Sequence, residues 1–455
     1  MGTPLDDLLG LEGIRALRVE ENDGECVIEA EGTGTVNACP TCGPLFGSPY
    51  GHGAQTQSFR DTPMRGMPTC LSVRRRRFRC QHCHKTFFET LPAVDDKRLV
   101  TRRLLRYLRQ HVFDETFAAL ARQSGLDEKT IRNICTDYVA DLEANVRFET
   151  PRVLGIDELK IVGAYRGVIT NVEKRCLFDL LRTRSKEDLL RYFHALPDKD
   201  RVEWVTMDMY HVYRDVVRQT LPKARIVVDR FHIERMANEV IEEMRKRVRK
   251  DLPDRERLKL KDERFLLLKR QHDLKPEQFE RLRAWFQKFP LLSEAHALKE
   301  GFLSIWDQNK ARADAEQAWL KWQTNVPAEL RSNFKKLITA MTNWHEQIFN
   351  YFEGSMTNAY TESSNNLTRT ANRMGRGYSF DVIRARMLYN KLALKEGLGV
   401  VKKPVPEEEE PAVSYKLSLT TATSVARRVR YVQEVVAYGA HIPTLAKLAD
   451  EGFFD

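Results

Sequence analysis

Two Cys-x-x-Cys pairs, Cys39-Pro-Thr-Cys42 and Cys80-Gln-His-Cys83, constrain this chain more than any other feature of it. A thiolate pair at that spacing supplies half of a tetrahedral zinc site, and a second pair closes it, so the two turns must meet although residues 43–79 lie between them. Cys39, Cys42, Cys80 and Cys83 are the expected ligands of a structural Zn2+ ion, with His82, His84 or Cys70 as alternative donors for one position. Gly43 suits the turn after the first pair, and Ser72-Val-Arg-Arg-Arg-Arg-Phe-Arg79 has strand-like stretches. The bland alternative is a set of buried, unligated thiols. Eight cysteines in 455 residues are too sparse for a disulfide framework, which points to metal binding in a reducing compartment. Cys26, Cys135 and Cys176 stand alone and read as core residues.

The same region holds the charge. Lysine and arginine number 74 against 64 aspartates and glutamates, a formal net charge of +10. Residues 60–109 contain fourteen basic and four acidic residues, so the entire excess lies there and the remainder of the chain sums to zero. Arginine forks match phosphate oxygens, and a cluster of them gains affinity by releasing counterions from a nucleic acid. Arg74, Arg75, Arg76 and Arg77 are therefore candidate DNA contacts, against the bland reading of a solvated loop. Residues 116–135 then carry the punctuation of a helix-turn-helix. Ala121 is small where two helices would cross, Gly125 supplies a turn with positive φ, Asp127 caps the second helix, and Ile131 and Ile134 share a face. Lys129, Thr130, Arg132 and Asn133 fall on the outer face near the start of that helix, where base contacts are made. An ordinary helical hairpin is the alternative.

From residue 152 the periodicity changes from helical to strand-like, and the order reads β-β-β-α-β-α-β through residue 229. Such an order fits a mixed sheet whose first strand is central, paired with an antiparallel hairpin on one side and parallel strands on the other. Asp157 lies on that first strand and Asp208 closes the fourth, so their side chains can converge. Convergent carboxylates repel, and a divalent cation relieves the repulsion. Two magnesium ions held this way activate a water or hydroxyl and stabilise the leaving oxygen of a phosphodiester. The structural alternatives are helix capping by Asp208 or Asp229 and a surface role for Glu158. Residues 231–351 read as helical throughout, with Trp285, Trp306, Trp319, Trp322 and Trp344 as bundle core rather than base-stacking platforms. Glu362, Asn365, Asn366 and Arg369 then share a helical face, a carboxylate beside groups that hold phosphates.

Gly155-Ile-Asp157-Glu, Met207-Asp208-Met, Val228-Asp-Arg-Phe-His232 and Thr361-Glu362-Ser-Ser-Asn-Asn366, behind a double Cys-x-x-Cys module and a helix-turn-helix, resemble bacterial insertion-sequence transposases of the DDE class. The resemblance spans about residues 35–395. It implies a multidomain α+β chain with a ribonuclease-H-like sheet interrupted by an all-helical insertion. It also implies a triad of Asp157, Asp208 and Glu362 binding two Mg2+ ions, with Mn2+ as a substitute and Asp229 as the competing second aspartate. The expected division is a zinc-binding module at 1–95, a helix-turn-helix at 96–150, a catalytic domain at 151–232 and 351–400 around an insertion at 233–350, a linker at 401–411 and a helical extension at 412–455. Implied partners are double-stranded DNA, with Arg369 among the contacts, and further copies of the chain in a homodimer or higher oligomer. Implied chemistry is hydrolytic nicking at element ends followed by strand transfer. A DNA-binding regulator without catalysis and a nuclease without strand transfer are the rivals. An apolar share of 42% excludes intrinsic disorder, and no apolar run approaches the roughly 18 residues of a membrane span. The expected location is the bacterial cytoplasm, at the nucleoid.

Overall fold

A computed structural model describes residues 9–44, 50–354, 356, 358–375, 377–389 and 400–402. Residues 403–411 of the expected linker and the whole extension 412–455 lie outside the described residues. The chain divides into two compact units, one running to Phe148 and resuming at Gly375, the other spanning Glu149–Met374.

In the first unit, β1 (Ile14–Asn22) and β2 (Glu25–Gly32) form a hairpin, and the two-residue strands β3 (Ala38–Cys39) and β4 (Gly43–Pro44) form a knuckle. The long β5 (Tyr50–Met64) and β6 (Met67–Arg79) follow, with β7 (Thr86–Phe88), β8 (Val94–Asp95) and β9 (Val100–Thr101). The strand order is β1-β2-β6-β5-β9-β8, with β7 also on β6. Arg65 and Gly66 both have positive φ, 54° and 79°, the backbone of a two-residue type I′ turn whose twist matches the strands it joins. Alternation sends Cys26, Ile28 and Ala30 of β2 and Leu71 and Val73 of β6 into one core with Phe59. Three helices follow: α1 (Arg102–His111), α2 (Phe117–Ser124) and α3 (Glu128–Asn145), N-capped by the side chains of Thr101, Thr116 and Asp127. Gly125 ends α2 at φ 69°, as a left-handed C-cap requires.

After α3, β10 (Val146–Phe148) pairs antiparallel with the strand Val400–Lys402. The helix Phe380–Tyr389 packs against α3 and the α1–α2 connection. Tyr378 packs against Phe117 with tilted rings, centroids 4.7 Å apart, and its hydroxyl accepts from Phe117 N at 3.0 Å. Arg386, buried, donates to the carbonyls of Val112 and Glu115 at the end of the α1–α2 connection.

The second unit holds a five-stranded sheet in the order β13-β12-β11-β14-β15, from β11 (Val153–Ile161), β12 (Ala164–Asn171), β13 (Cys176–Leu181), β14 (Trp204–Met207) and β15 (Arg225–Val228). β12 is antiparallel to β11 and β13, whereas β11, β14 and β15 run parallel. The crossover helices are α4 (Lys186–Ala195) and α5 (His211–Thr220). As the sequence order implies, the first strand is central. It is buried on both faces, which suits its run Val153-Leu-Gly-Ile156.

The chain then becomes helical: α6 (Arg230–Lys250), α7 (Asp254–Asp262), α8 (Arg264–Leu268), α9 (Pro276–Lys288), α10 (Pro290–Gln308), α11 (Arg312–Thr324), α12 (Ala328–Asn343), α13 (His345–Phe349) and α14 (Tyr351–Gly354). All five tryptophans of this region are buried in its core, with Trp319 and Trp322 stacked at 5.2 Å around Phe302. Lys299, also buried, donates to the carbonyls of Leu267, Leu268 and Lys269 and so closes the end of α8. The last helix of this unit, α15 (Ala359–Met374), returns to the sheet.

His296 lies against Phe286 in the helical core, and burial, helped by the Lys299 ammonium, pushes its imidazole down to about 4 from an ordinary 6.5. Above pH 6.5 neither folded nor unfolded chain carries that proton. As pH falls from 6.5 toward 4 the unfolded chain takes it up and the folded chain refuses it, so stability is lost over this window. Thermal melting followed across pH 7 to 4 is expected to show this decline, and His296→Phe to flatten it between pH 6.5 and 5.

Candidate zinc centre and carboxylate site

The knuckle β3–β4 brings Cys39 and Cys42 onto the second turn that carries Cys80 and Cys83. Cys39 Sγ lies 3.6 Å from Cys83 Sγ and Cys42 Sγ 3.5 Å from Cys80 Sγ, and all four sulfurs fall within 4.8 Å of one another. Tetrahedral zinc with Zn–S bonds of about 2.3 Å places its sulfurs roughly 3.8 Å apart, so this cage fits the ion. Burial opposes ionisation of Cys39, but the N–H groups of Thr41 and Cys42 and the Cys83 thiol outweigh it and bring the thiol down to about 6. Cys42 is pushed up to about 12, first by its hydrogen bond with Cys80. A cage in which one thiol ionises readily and its neighbour cannot is the electrostatic setting that a bound cation resolves. Cys70, His82 and His84 stand outside this set. Cys26, Cys135 and Cys176 are buried, as expected of core residues.

The arginine run lies on β6, where alternation splits it. Arg75 points inward, 4% exposed, and makes a two-pronged bond to Asp96 at 2.6 and 3.0 Å while its Nε donates to Glu89 O. Arg76 grips the fully buried Glu89 carboxylate through Nε and Nη2 at 2.9 and 2.6 Å. Arg75 is thus an internal pin, which departs from the expectation of four cations facing DNA, and Arg76, though exposed, has its charge engaged by Glu89; Arg74 is exposed, and Arg77 is half-buried beside Thr86. On α3, Lys129, Arg132 and Asn133 are exposed, whereas the Thr130 hydroxyl donates to Asp127 at 2.7 Å.

In the second unit the parallel registers Ile156↔Met207 and Met207↔Val228 set Asp157, midway along β11, level with Asp208 and Asp229, which stand one step beyond the ends of β14 and β15. Asp157 accepts from Asn365 Nδ2 at 2.6 Å and from Glu158 N at 2.7 Å. Burial, reinforced by the Asp208 charge, raises its carboxyl to about 7. Asp208 Oδ1 lies 2.7 Å from His232 Nε2. Asp229 is buried and caps α6 by accepting from Phe231 N at 3.3 Å. Glu362 is exposed on the first turn of α15, and Arg369 donates to Asn366 at 2.7 Å on the same helix. Among the described residues, the three carboxylates Asp157, Asp208 and Glu362 are not gathered within the 4.8 Å that joins the four sulfurs. His232 was not among the expected site residues; its signal is the spacing Asp229-Arg-Phe-His232, which puts an imidazole in the first turn of a helix capped by one aspartate and beside another.

Comparison with known families follows this layout along the chain. Residues 35–83 match the zinc-finger of transposase IS204/IS1001/IS1096/IS1165, residues 89–139 the helix-turn-helix domain of transposase family ISL3, and residues 154–387 the transposase model of that family. The chain belongs to the ISL3 family of transposases. It is similar to the transposase for insertion sequence element IS1001 of Bordetella parapertussis, 26% identical over 396 residues that cover 82% of this chain and 94% of the relative. It is also similar to the transposase for insertion sequence element IS1557 of Mycobacterium tuberculosis, 25% identical over 309 residues, 59% of this chain and 68% of that one. In this ISL3-family transposase the zinc ribbon and the four-sulfur cage together support a structural zinc ion. No helix among the described residues is long and apolar enough to cross a membrane.

Metal analysis of the full chain is expected to find one tightly held zinc, lost when Cys39, Cys42, Cys80 and Cys83 are all replaced by serine; unchanged zinc content would refute the site. A second expectation concerns Gly155, the point on β11 where α15 comes closest. A methyl group there would lie within 3.0 Å of Thr170 Oγ1, Thr361 Oγ1 and Asn358 Oδ1, the atoms that knit α15 to the sheet. Gly155→Ala is expected to cost ~1–3 kcal/mol of stability through overpacking, measured by denaturant titration.

Proposed function

We propose that this transposase binds the terminal inverted repeats of its element through the zinc ribbon and helix-turn-helix and catalyses magnesium-dependent strand cleavage and strand transfer through Asp157, Asp208 and Glu362. The observation that carries the reading is the Asp157–Asp208 pair on adjoining parallel strands, with an Asp157 carboxyl raised to about 7 by burial and by its neighbour. The strand order β13-β12-β11-β14-β15, with the helical segment preceding α15, supports a ribonuclease-H-like catalytic domain. A divalent cation fits these residues: besides the mutual repulsion, the buried Asn365 Oδ1 has no hydrogen-bond partner beside Asp157. Two magnesium ions held by Asp157, Asp208 and Glu362 would supply the polarisation that makes water, and then a 3′-hydroxyl, an attacking group and stabilises the departing oxygen.

The chain's own groups prepare that chemistry. Asn365 fixes the Asp157 carboxylate from α15, and His232 holds Asp208 from α6. Asp229 is already engaged as the cap of α6, which favours Asp208 as the second ligand. Arg74, Arg77, Lys129, Arg132 and Asn133 are the cations and amide available to DNA, with Arg369 on the helix of Glu362. Cutting and joining two ends together calls for at least a dimer on DNA.

Labelled inverted-repeat ends, target plasmid and magnesium or manganese test this directly. The wild type is expected to nick and join, and Asp157→Asn, Asp208→Asn and Glu362→Gln to bind ends normally but yield no product. Tight binding without any product would leave a regulator, and nicking without joining would leave a nuclease. A dead Asp229→Asn beside an active Asp208→Asn would move the second ligand to Asp229.

A further inference from the structure

Between Gly32 and Phe88 the sequence holds eight lysines and arginines but a single acidic residue, Asp61. That carboxylate is buried and already bound to Arg103, so the cations of this stretch must find counter-charge from outside it or face solvent without any. Four are met from outside: Arg60 by Glu25, Arg65 by Glu21, Arg75 by Asp96 and Arg76 by Glu89. The other four, Arg74, Arg77, Arg79 and Lys85, meet no carboxylate among the described residues. Two of these, Arg79 and Lys85, both exposed, come together in an open pocket of about 500 Å³ whose wall is completed by His52, His84 and Thr86. No acidic residue lines it.

The backbone fixes each group. Arg79 ends β6 and pairs with Tyr50 of β5 and Thr86 of β7, so these three side chains share one face of the sheet. β5 shifts register between Gly51 and Ala54, and a bulge of this kind re-aims the residue it carries, here His52, which lines the pocket. His84 and Lys85 belong to the turn that carries Cys80 and Cys83. Within it Cys80 N donates to Lys85 O at 2.9 Å and His84 N to Cys80 O at 3.0 Å. Arg79 Nε donates to His84 O at 3.2 Å, which steadies the guanidinium and leaves its two terminal amino groups for a ligand. The turn that gathers the sulfurs therefore also sets the cations.

Charge and donor geometry select the ligand. A guanidinium, an ammonium, a hydroxyl and two imidazoles are all donors, and the pair of terminal amino groups on Arg79 matches two oxygens of a phosphate. The rival explanation is that these cations offset the negative charge of zinc held by four thiolates. Cys39 and Cys80 are buried, however, whereas Arg79 and Lys85 are exposed around an open pocket. We propose that Arg79 and Lys85, with His52, His84 and Thr86, form a phosphate-binding pocket that grips the DNA backbone. Such contacts fix the position of a duplex and carry no sequence information. The proposal rests on the DNA-binding function proposed above; it assigns anchoring of the duplex to the second cysteine turn and leaves base reading to the exposed side chains of α3.

The test follows binding of the full-length protein, by fluorescence anisotropy, to a labelled inverted-repeat duplex and to an unrelated duplex of equal length across a series of salt concentrations. Loss of one phosphate contact lowers the slope of log K against log salt by about 0.9. Arg79→Gln and Lys85→Gln are each expected to show that drop on both duplexes and to weaken both by the same factor, so that preference for the repeat is kept. Arg79→Lys, which retains the charge, is expected to retain the wild-type slope. Zinc content and melting temperature are expected to match wild type in every variant. An unchanged slope when Arg79→Gln and Lys85→Gln are combined would overturn the proposal. So would a lost preference for the repeat with the slope intact, which would make these residues base readers, or a loss of zinc, which would make them part of the metal site. If the wild type binds the repeat no better than the unrelated duplex, terminal-repeat recognition fails, while the slopes still decide whether the pocket holds a phosphate.

Discussion

Two carboxylates side by side on neighbouring parallel strands repel each other, and the second unit is organised around bearing that repulsion. The register of β11 against β14 makes the juxtaposition unavoidable: once Ile156 pairs with Met207, the next residues are Asp157 and Asp208. Burial compounds the cost, since a carboxylate loses hydration before it gains a partner. The structure answers from two helices. Asn365 of α15 donates to Asp157, and His232 of α6 stands against Asp208. Both helices reach the sheet through small or capping residues, Gly155 beneath α15 and Asp229 at the start of α6. Packing in this unit is therefore inseparable from its electrostatics.

The first unit handles charge of the opposite sign. Its fourteen basic residues between 60 and 109 are not all turned outward. Each of the four acids in that segment meets an arginine: Asp61 binds Arg103, Glu89 binds Arg76, Asp96 binds Arg75, and Asp95 accepts from Arg98 N. Internal pairing holds β6 against β7 and α1 against β5, and the exposed arginines form the remaining cationic surface. Such pairs, each with one partner buried, contribute little net stability but fix one arrangement, because removing the exposed partner leaves a buried charge stranded.

Much of this was legible in the chain itself. The spacing of the cysteines, the caps and glycine of the helix-turn-helix, and the β-β-β-α-β-α-β order are local patterns, and local physics dictates them. Asp157 and Asp208 could be paired in advance because parallel pairing follows from the crossover helices. What escaped notice depends on partners distant in sequence. Alternation implies that some of Arg74–Arg77 turn inward, yet only Glu89 and Asp96, brought in by later strands, determine which. His232 reads as an ordinary helical residue until α6 is set beside β14. The placement of the helix Phe380–Tyr389 on the helix-turn-helix rests on Tyr378, Arg386 and Tyr389, whose spacing matches any amphipathic helix.

The chain leaves its first unit after Phe148 and returns to it only at Gly375. The apolar patch of Val112, Phe113 and Phe117 is thus covered by residues synthesised much later. At ribosomal rates of about 5–20 residues per second, that interval is on the order of ten to fifty seconds. During it the nascent first unit has its cysteine knuckles and all three helices but lacks the helix that covers them. The unit nearest the N-terminus is consequently among the last to be completed, so a nascent chain cannot close its first unit before its second has been made.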